Sequence, residues 1–255
     1  MAKQSVIFRD LGQMNYKAAW DYQESLLQQN VNVKSKVKNE ELIANEPFTP
    51  HLPIATRTPL TERETQHYLL FVEHPAVFTL GKSGNINNVL LSEERLNEIG
   101  IEFFRTNRGG DITFHGPQQI VGYPILDLEK FDTDIGHYLR NLEEVIILTL
   151  AGYGIDAGRS MGETGVWIDP GTKGRERKIC AIGVRCSRWI TMHGFAFNVN
   201  TDLSYFNHII PCGIQNKQVT SLQRELGKEI DMKDAKEKVK LNFEKVFDVE
   251  LINNQ

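Results

Sequence analysis

Lys178-Ile179-Cys180-Ala181-Ile182-Gly183-Val184-Arg185 is followed, after three residues, by the run Trp189 to Asn200. Both read as strands, and so short a gap holds a turn and not a helix. Working outward, His67 to Glu73, Val77 to Leu80, Ile101 to Arg105 and Gln119 to Leu126 are further strand-like runs, most of them also joined by turns. The pattern predicts an α/β (α+β) protein with a mixed β-sheet flanked by helices, and argues against a doubly wound parallel sheet.

The helices come at the ends and in the middle. Tyr16, Ala19, Trp20, Leu26 and Leu27 fall near one face of a helix from about Asn15 to Gln29. A second runs from about Ile135 to Ala151, capped by Asp134 and ended by Gly152. Thr220 and Gln223 have capping-box spacing for a short helix that Gly227 ends, and Asp231 opens a last helix with Ala235, Val239 and Phe243 inward. From about Val31 to Gln66 the chain turns polar and carries four prolines, which predicts an irregular insertion. The rest reads as a single catalytic-sized domain spanning 1–255.

The chain has 255 residues, of which 40% are hydrophobic, enough for a full core. A formal net charge of −4 lacks the basic excess of a nucleic-acid binder. No apolar run approaches a membrane span, and the N-terminus lacks a signal-peptide core. Three cysteines, Cys180, Cys186 and Cys212, are too few for a disulfide framework and predict a cytoplasmic protein. They and the histidines lack the short spacings of a zinc site, so no metal is expected.

Three segments could carry chemistry. Arg108-Gly109-Gly110-Asp111-Ile112-Thr113-Phe114-His115 combines two glycines, which let backbone N–H groups approach a ligand, with a cation, a hydroxyl and an imidazole. The plain alternative is a glycine turn with His115 in the core; the crowding of Arg, Thr and His favours a site. The segment fits neither a Walker A nor a Rossmann fingerprint. Lys178 before an apolar run reads first as a solvated edge residue, while Gly194 and Ala196 leave room for a substrate against the backbone. Cys212, between Pro211 and Gly213, sits on a turn that would expose its thiol.

Together these segments resemble the octanoyltransferases that attach octanoate to lipoyl domains. The resemblance is carried by His74-Pro75 through Gly81, Arg108 through Leu128, Lys178, His193-Gly194, Ala196, Asn198, Asp202-Leu203, Phe206 and Cys212, in one order from about Tyr68 to Leu222. Gln118, where that family usually has glycine, Lys82-Ser83 after Gly81, and the long insertion depart from it.

The resemblance implies the biotin/lipoate protein ligase-like fold and a transfer of octanoyl from acyl carrier protein to a lysine. The acceptors it implies are lipoyl domains of 2-oxoacid dehydrogenase complexes and the glycine cleavage H protein. It makes Cys212 the nucleophile and Lys178 its cationic partner, with no cofactor, because phosphopantetheine delivers the acyl group. Arg108 to His115, Ala181, Ile182, Gly183, Gly194, Phe195 and Ala196 would then line the substrate, and backbone N–H groups of Ala181–Gly183 or Gly194–Ala196 would hold the oxyanion. An ATP-dependent lipoate or biotin ligase, a lipoyl amidotransferase and a silent lipoyl-domain-binding module are the competing readings.

Overall fold

The computed structural model describes residues 3–44, 64–210 and 218–253. In chain order the elements are β1 (Gln4–Gln13), α1 (Tyr16–Ala44), β2 (His67–Glu73), β3 (Val77–Leu80), α2 (Glu93–Glu98), β4 (Glu102–Arg105), β5 (Ile112–His115) and β6 (Gln119–Ile125). They continue as α3 (Ile135–Ala151), β7 (Ala157–Gly158), β8 (Val166–Ile168), β9 (Arg177–Ser187), β10 (Ile190–Asn198), β11 (Gln218–Val219), α4 (Leu222–Leu226), α5 (Met232–Phe247) and β12 (Val249–Asn253).

Among the described residues, nine strands form one sheet in the order β12-β1-β2-β6-β10-β9-β8-β7, with β11 also on β9. The pairs β1–β12, β1–β2 and β9–β11 are parallel and the others antiparallel, the mixed sheet that turn-joined strands predict. A small sheet, β4-β3-β5, stands beside it. The central strands are buried on both faces, so they read as apolar runs instead of alternating ones. In β2, Leu69 and Phe71 join Leu142, Val145 and Ile146 of α3 and Val239 and Phe243 of α5 in one core. Tyr68, Leu70 and Val72 join Ala19, Leu26 and Leu27 of α1 in the opposite one. A third cluster, around Phe78, Phe114 and Phe206, backs the small sheet.

The middle helix starts and stops where the sequence places it, with Asp134 accepting from the His137 N–H. The cap of α4 shifts by one residue. Ser221 accepts from the Arg224 N–H, and Thr220 instead donates its hydroxyl to Glu225. The larger correction concerns the insertion: α1 does not end near Gln29 but stays helical to Ala44. Its second half has little apolar stripe to announce it, and polar anchors hold it instead. Lys34 pairs with Asp127 at 2.8 Å, Arg188 donates to Ser35 at 2.8 Å, and the Asn30 amide closes two hydrogen bonds on the Gln66 backbone. Asp127 is 2% exposed and also accepts from the Thr65 hydroxyl. The rest of the insertion up to residue 63 lies outside the described residues.

Between the sheets, the turn after β5 carries Gln118 at φ 59°, the left-handed region that favours glycine. Its N–H donates to Glu73 and its carbonyl accepts from the Asn200 N–H, so the conformation is held from both sides. Gln118→Gly should therefore leave the unfolding free energy within about 0.5 kcal/mol, relief of strain offsetting the freer unfolded chain. Gln118→Val, β-branched at positive φ, should cost about 1–3 kcal/mol by urea titration.

Candidate active site

A half-open slot of about 250 Å³ lies between the α1 face of the large sheet and the small sheet. Its floor is β6, β10 and β9 in three successive rungs. Gln119 pairs with Asn198, Val121 with Ala196 and so with Ala181, and Gly194 with Gly183. Neither glycine can be replaced freely. A Cβ on Gly194 would come within 2.1 Å of the Gly122 carbonyl oxygen, and one on Gly183 within 2.7 Å of the Gly109 oxygen. The floor is therefore shallow and mostly apolar, suited to a hydrocarbon chain laid along the strands.

Lys178 enters this slot because β9 is irregular. Cys180 and Ile182 point into the α3 core, and Lys178 shares their parity in a regular strand. Between the pairs Val166–Cys180 and Trp167–Lys178 the register shifts, with Ile179 as the extra residue. Ile179 and Cys180 then both face the core, and Lys178 turns to the face of Ala181 and Gly183. It is 8% exposed, not a solvated edge residue. Its Nζ lies 4.6 Å from the Trp167 ring centroid, a cation–π contact, and 3.8 Å from the Glu163 carboxylate. The expected Cys212 lies outside the described residues. The chain resumes after it at β11, where Val219 pairs with Lys178 and lines the slot.

The glycine-rich segment forms the roof, fastened by Arg108. This residue is 7% exposed and donates to the carbonyls of Thr79, Gly109 and Asp111 and to the Thr79 hydroxyl. The Gly109 N–H donates to the Val184 carbonyl, docking the roof on β9. From Arg108 a directed hydrogen-bond chain crosses the slot wall. The Thr79 hydroxyl donates to His115 Nε2, His115 Nδ1–H to Gln119, and Gln119 to Asn198, which donates to the Thr220 carbonyl. Each acceptor polarises the next donor, and in this chain His115 accepts at Nε2 and donates from Nδ1, the pattern of a neutral imidazole.

His74 and His193 complete a set of buried imidazoles. The His74 Nδ1–H donates to the Met14 carbonyl and its Nε2 accepts from Tyr123. Burial lowers the His74 pKa to about 4 and, together with Arg108, that of His193 to about 3. Burial, then His74 and Arg108, push His115 well down too. His193 sits in mid-strand at φ 57°, which turns its ring onto the slot face beside Trp20 and Asn107.

Of the residues expected from sequence, Arg108, Gly110, Asp111, Ile112, Thr113, His115, Lys178, Ala181, Ile182, Gly183, Gly194, Phe195 and Ala196 meet at the slot. Gly109 supports the roof from outside, and Phe114 turns away to stack on Tyr205 in the third cluster. Phe195 and Ala196 are paired with strands on both sides, whereas Ala181 and Ile182 pair only with β10 among the described residues. Sequence reading misses Tyr16, Gln119, Tyr123, Glu163 and Thr164 as lining residues. Glu163 carried a signal, an acid inside the turn Gly162-Glu163-Thr164-Gly165. Tyr16 carried none, since it reads as part of a core stripe.

The fold is of the lipoyl-ligase type, and the lipoyl protein ligase A/B catalytic domain matches residues 55–244. The chain belongs to that family. The bipartite lipoate protein ligase of Thermoplasma acidophilum superposes with a TM-score of 0.64 at 15% identity, covering 100% of this chain and 87% of that one, a likeness of fold. In sequence the chain is 55% identical to the octanoyltransferase of Flavobacterium johnsoniae over 96% of its own length and 97% of that protein's. It is 45% identical to the octanoyltransferase of Cytophaga hutchinsonii, over 98% and 95%. Within the family it is thus an acyltransferase of the octanoyltransferase branch.

The neutral imidazoles set a pH limit. Unfolded, His74, His115 and His193 take up protons below about pH 6.5; folded, His74 resists to about pH 4 and His193 to about pH 3, and burial holds His115 well below the ordinary imidazole range as well. The unfolded state then binds more protons, so their contribution is complete above about pH 6.5 and falls as acid is added. Each imidazole should remove up to about 1.4 kcal/mol per pH unit between 6.5 and 4. Denaturant midpoints measured from pH 7.5 to 4.5 should fall steeply below 6.5, and His74→Gln should flatten the slope.

Proposed function

We propose that the chain moves octanoyl from the phosphopantetheine thiol of acyl carrier protein to a lysine of lipoyl domains, through a thioester on Cys212. The observation that carries this reading is Lys178, turned by the β9 bulge onto the slot face and buried at one end of a shallow, small-residue floor. A cation there stabilises a thiolate brought to that end. Two of the three cysteines are poorly suited: burial pushes the thiols of Cys180 and Cys186 up, away from the nucleophilic form. That leaves Cys212.

In the first half-reaction the Cys212 thiolate attacks the donor thioester, and pantetheine leaves as thiol with the proton that the Lys178 ammonium gives up, which leaves Lys178 neutral to take the proton of the acceptor amine later. In the second the acceptor amine attacks the acyl-cysteine, Lys178 relays the amine's proton, and the Cys212 thiolate leaves. The first step exchanges one thioester for another and the second forms a more stable amide, so no nucleotide or metal is required. Of the two expected oxyanion sources Ala181–Gly183 is the better placed, because Phe195 and Ala196 have a strand on each side, whereas Ile182 lies where the side of β9 away from β10 has no strand among the described residues. Acceptors are the lipoyl domains of 2-oxoacid dehydrogenases and the glycine cleavage H protein, and a reducing cytoplasm keeps the thiol free.

Incubation with octanoyl-carrier protein and no acceptor should leave one octanoyl group on the peptide containing Cys212, read by mass spectrometry. An adduct on Cys180 or Cys186, or octanoyl-adenylate formed from free octanoate and ATP, would reject the route. Lys178→Ala should slow both half-reactions by about 10²-fold or more, with an unchanged circular dichroism spectrum.

A further inference from the structure

We propose that the first turn of α1 fixes the length of the acyl chain: Tyr16, with Tyr123 and His193, is the end wall of the slot. This rests on the reading above, in which the reacting carbonyl lies at the Lys178 end.

The slot and α1 share one sheet face. Where Ala19, Leu26 and Leu27 pack, the face is closed by the helix; where the helix stops, the face is open and becomes the slot. The boundary is Tyr16, the first residue of α1. It is 1% exposed and stacks on His115 at 5.8 Å between ring centroids, with Phe104 at 5.4 Å and His74 at 5.3 Å. Tyr123 comes up from β6 and is tied to His74 through its hydroxyl at 2.7 Å. His193 comes from β10 and is backed by Trp20 at 6.0 Å. Three elements thus meet at one end through interlocked rings, which yield little to an extra methylene.

The dimensions agree with an eight-carbon chain. From the Cys180–Phe197 rung, next to Lys178, to the Val184–His193 rung is four residues, about 13 Å at about 3.3 Å each. Seven carbon–carbon bonds of about 1.5 Å in zigzag span about 9 Å, and the van der Waals stand-off of the terminal methyl from the ring wall takes up about 4 Å more. A chain whose carbonyl stands by Lys178 therefore passes Ala181 and Ala196, crosses the Gly183–Gly194 rung and ends against the tyrosines. Burial alone favours each further methylene about fourfold, so selection against longer chains needs such a wall.

The test compares kcat/KM for hexanoyl, octanoyl, decanoyl and dodecanoyl donors on the same carrier protein. Wild type should rise to octanoyl and fall beyond it. Tyr16→Ala and Tyr123→Leu, which open the same end from different elements, should each raise the decanoyl-to-octanoyl ratio by about tenfold. Folded variants that keep the wild-type cut-off would overturn the wall while leaving the transfer reading intact. A wild-type rate still climbing from eight to twelve carbons would overturn it even if neither variant folds. If wild type transferred no acyl group at all, the reading beneath it would fail as well.

Discussion

The extra residue at Ile179 determines the side of the sheet that receives the Lys178 ammonium, and the rest of the site is arranged around that choice. Without it the amine would point among Cys180, Ile182 and the α3 side chains, where an unpaired ammonium is strongly unfavourable. With it the charge lies at one end of an apolar slot, flanked by the Trp167 ring and the Glu163 carboxylate. His193 repeats the device on β10, where a left-handed φ brings an odd-numbered ring to the face of its even-numbered neighbours. Two local departures from strand geometry therefore place the two ring-and-charge groups that bracket the slot. Backbone strain concentrated at such positions is characteristic of sites where geometry is functional.

Arg108 is the second organising group. A guanidinium donates and never accepts, so a buried one must be surrounded by oxygens, and here three carbonyls and a hydroxyl bind it. Those oxygens belong to both the glycine-rich roof and β3, so one side chain sets the separation of roof and small sheet. Burial is the main cause of the neutrality of His115 and His193, and the Arg108 charge adds to it, because a second cation in so dry a place would be repelled. The slot thereby keeps its positive charge at two addresses, Arg108 in the roof and Lys178 at the reacting end.

Much of this was readable in the chain. Elements that bury strong apolar stripes, such as β2, β6 and α3, announce themselves, and the ordered motifs around Arg108, Lys178 and His193 locate the slot. What was not readable depended on partners distant in sequence. The second half of α1 is held by Lys34 and Asn30 reaching Asp127 and Gln66, pairings that no periodicity reports. Strand β1, second in the sheet, gains its identity from parallel neighbours distant in sequence, β2 on one side and β12 on the other. Phe114 and Tyr16 show the limit most sharply. Both are aromatic residues in core-like contexts, one facing the third cluster and the other the slot, and only the three-dimensional packing separates them.

Asp127 gathers, on one carboxylate, a lysine from the helix that enters the insertion and a threonine from the segment that leaves it. The two stems are thus joined at their base by the protein's own structure. Because closing a longer loop between fixed ends costs only slowly more entropy, the span between them is free to lengthen, shorten or change character over evolutionary time without disturbing the catalytic scaffold. The one inheritance such drift must preserve is the acid at the junction.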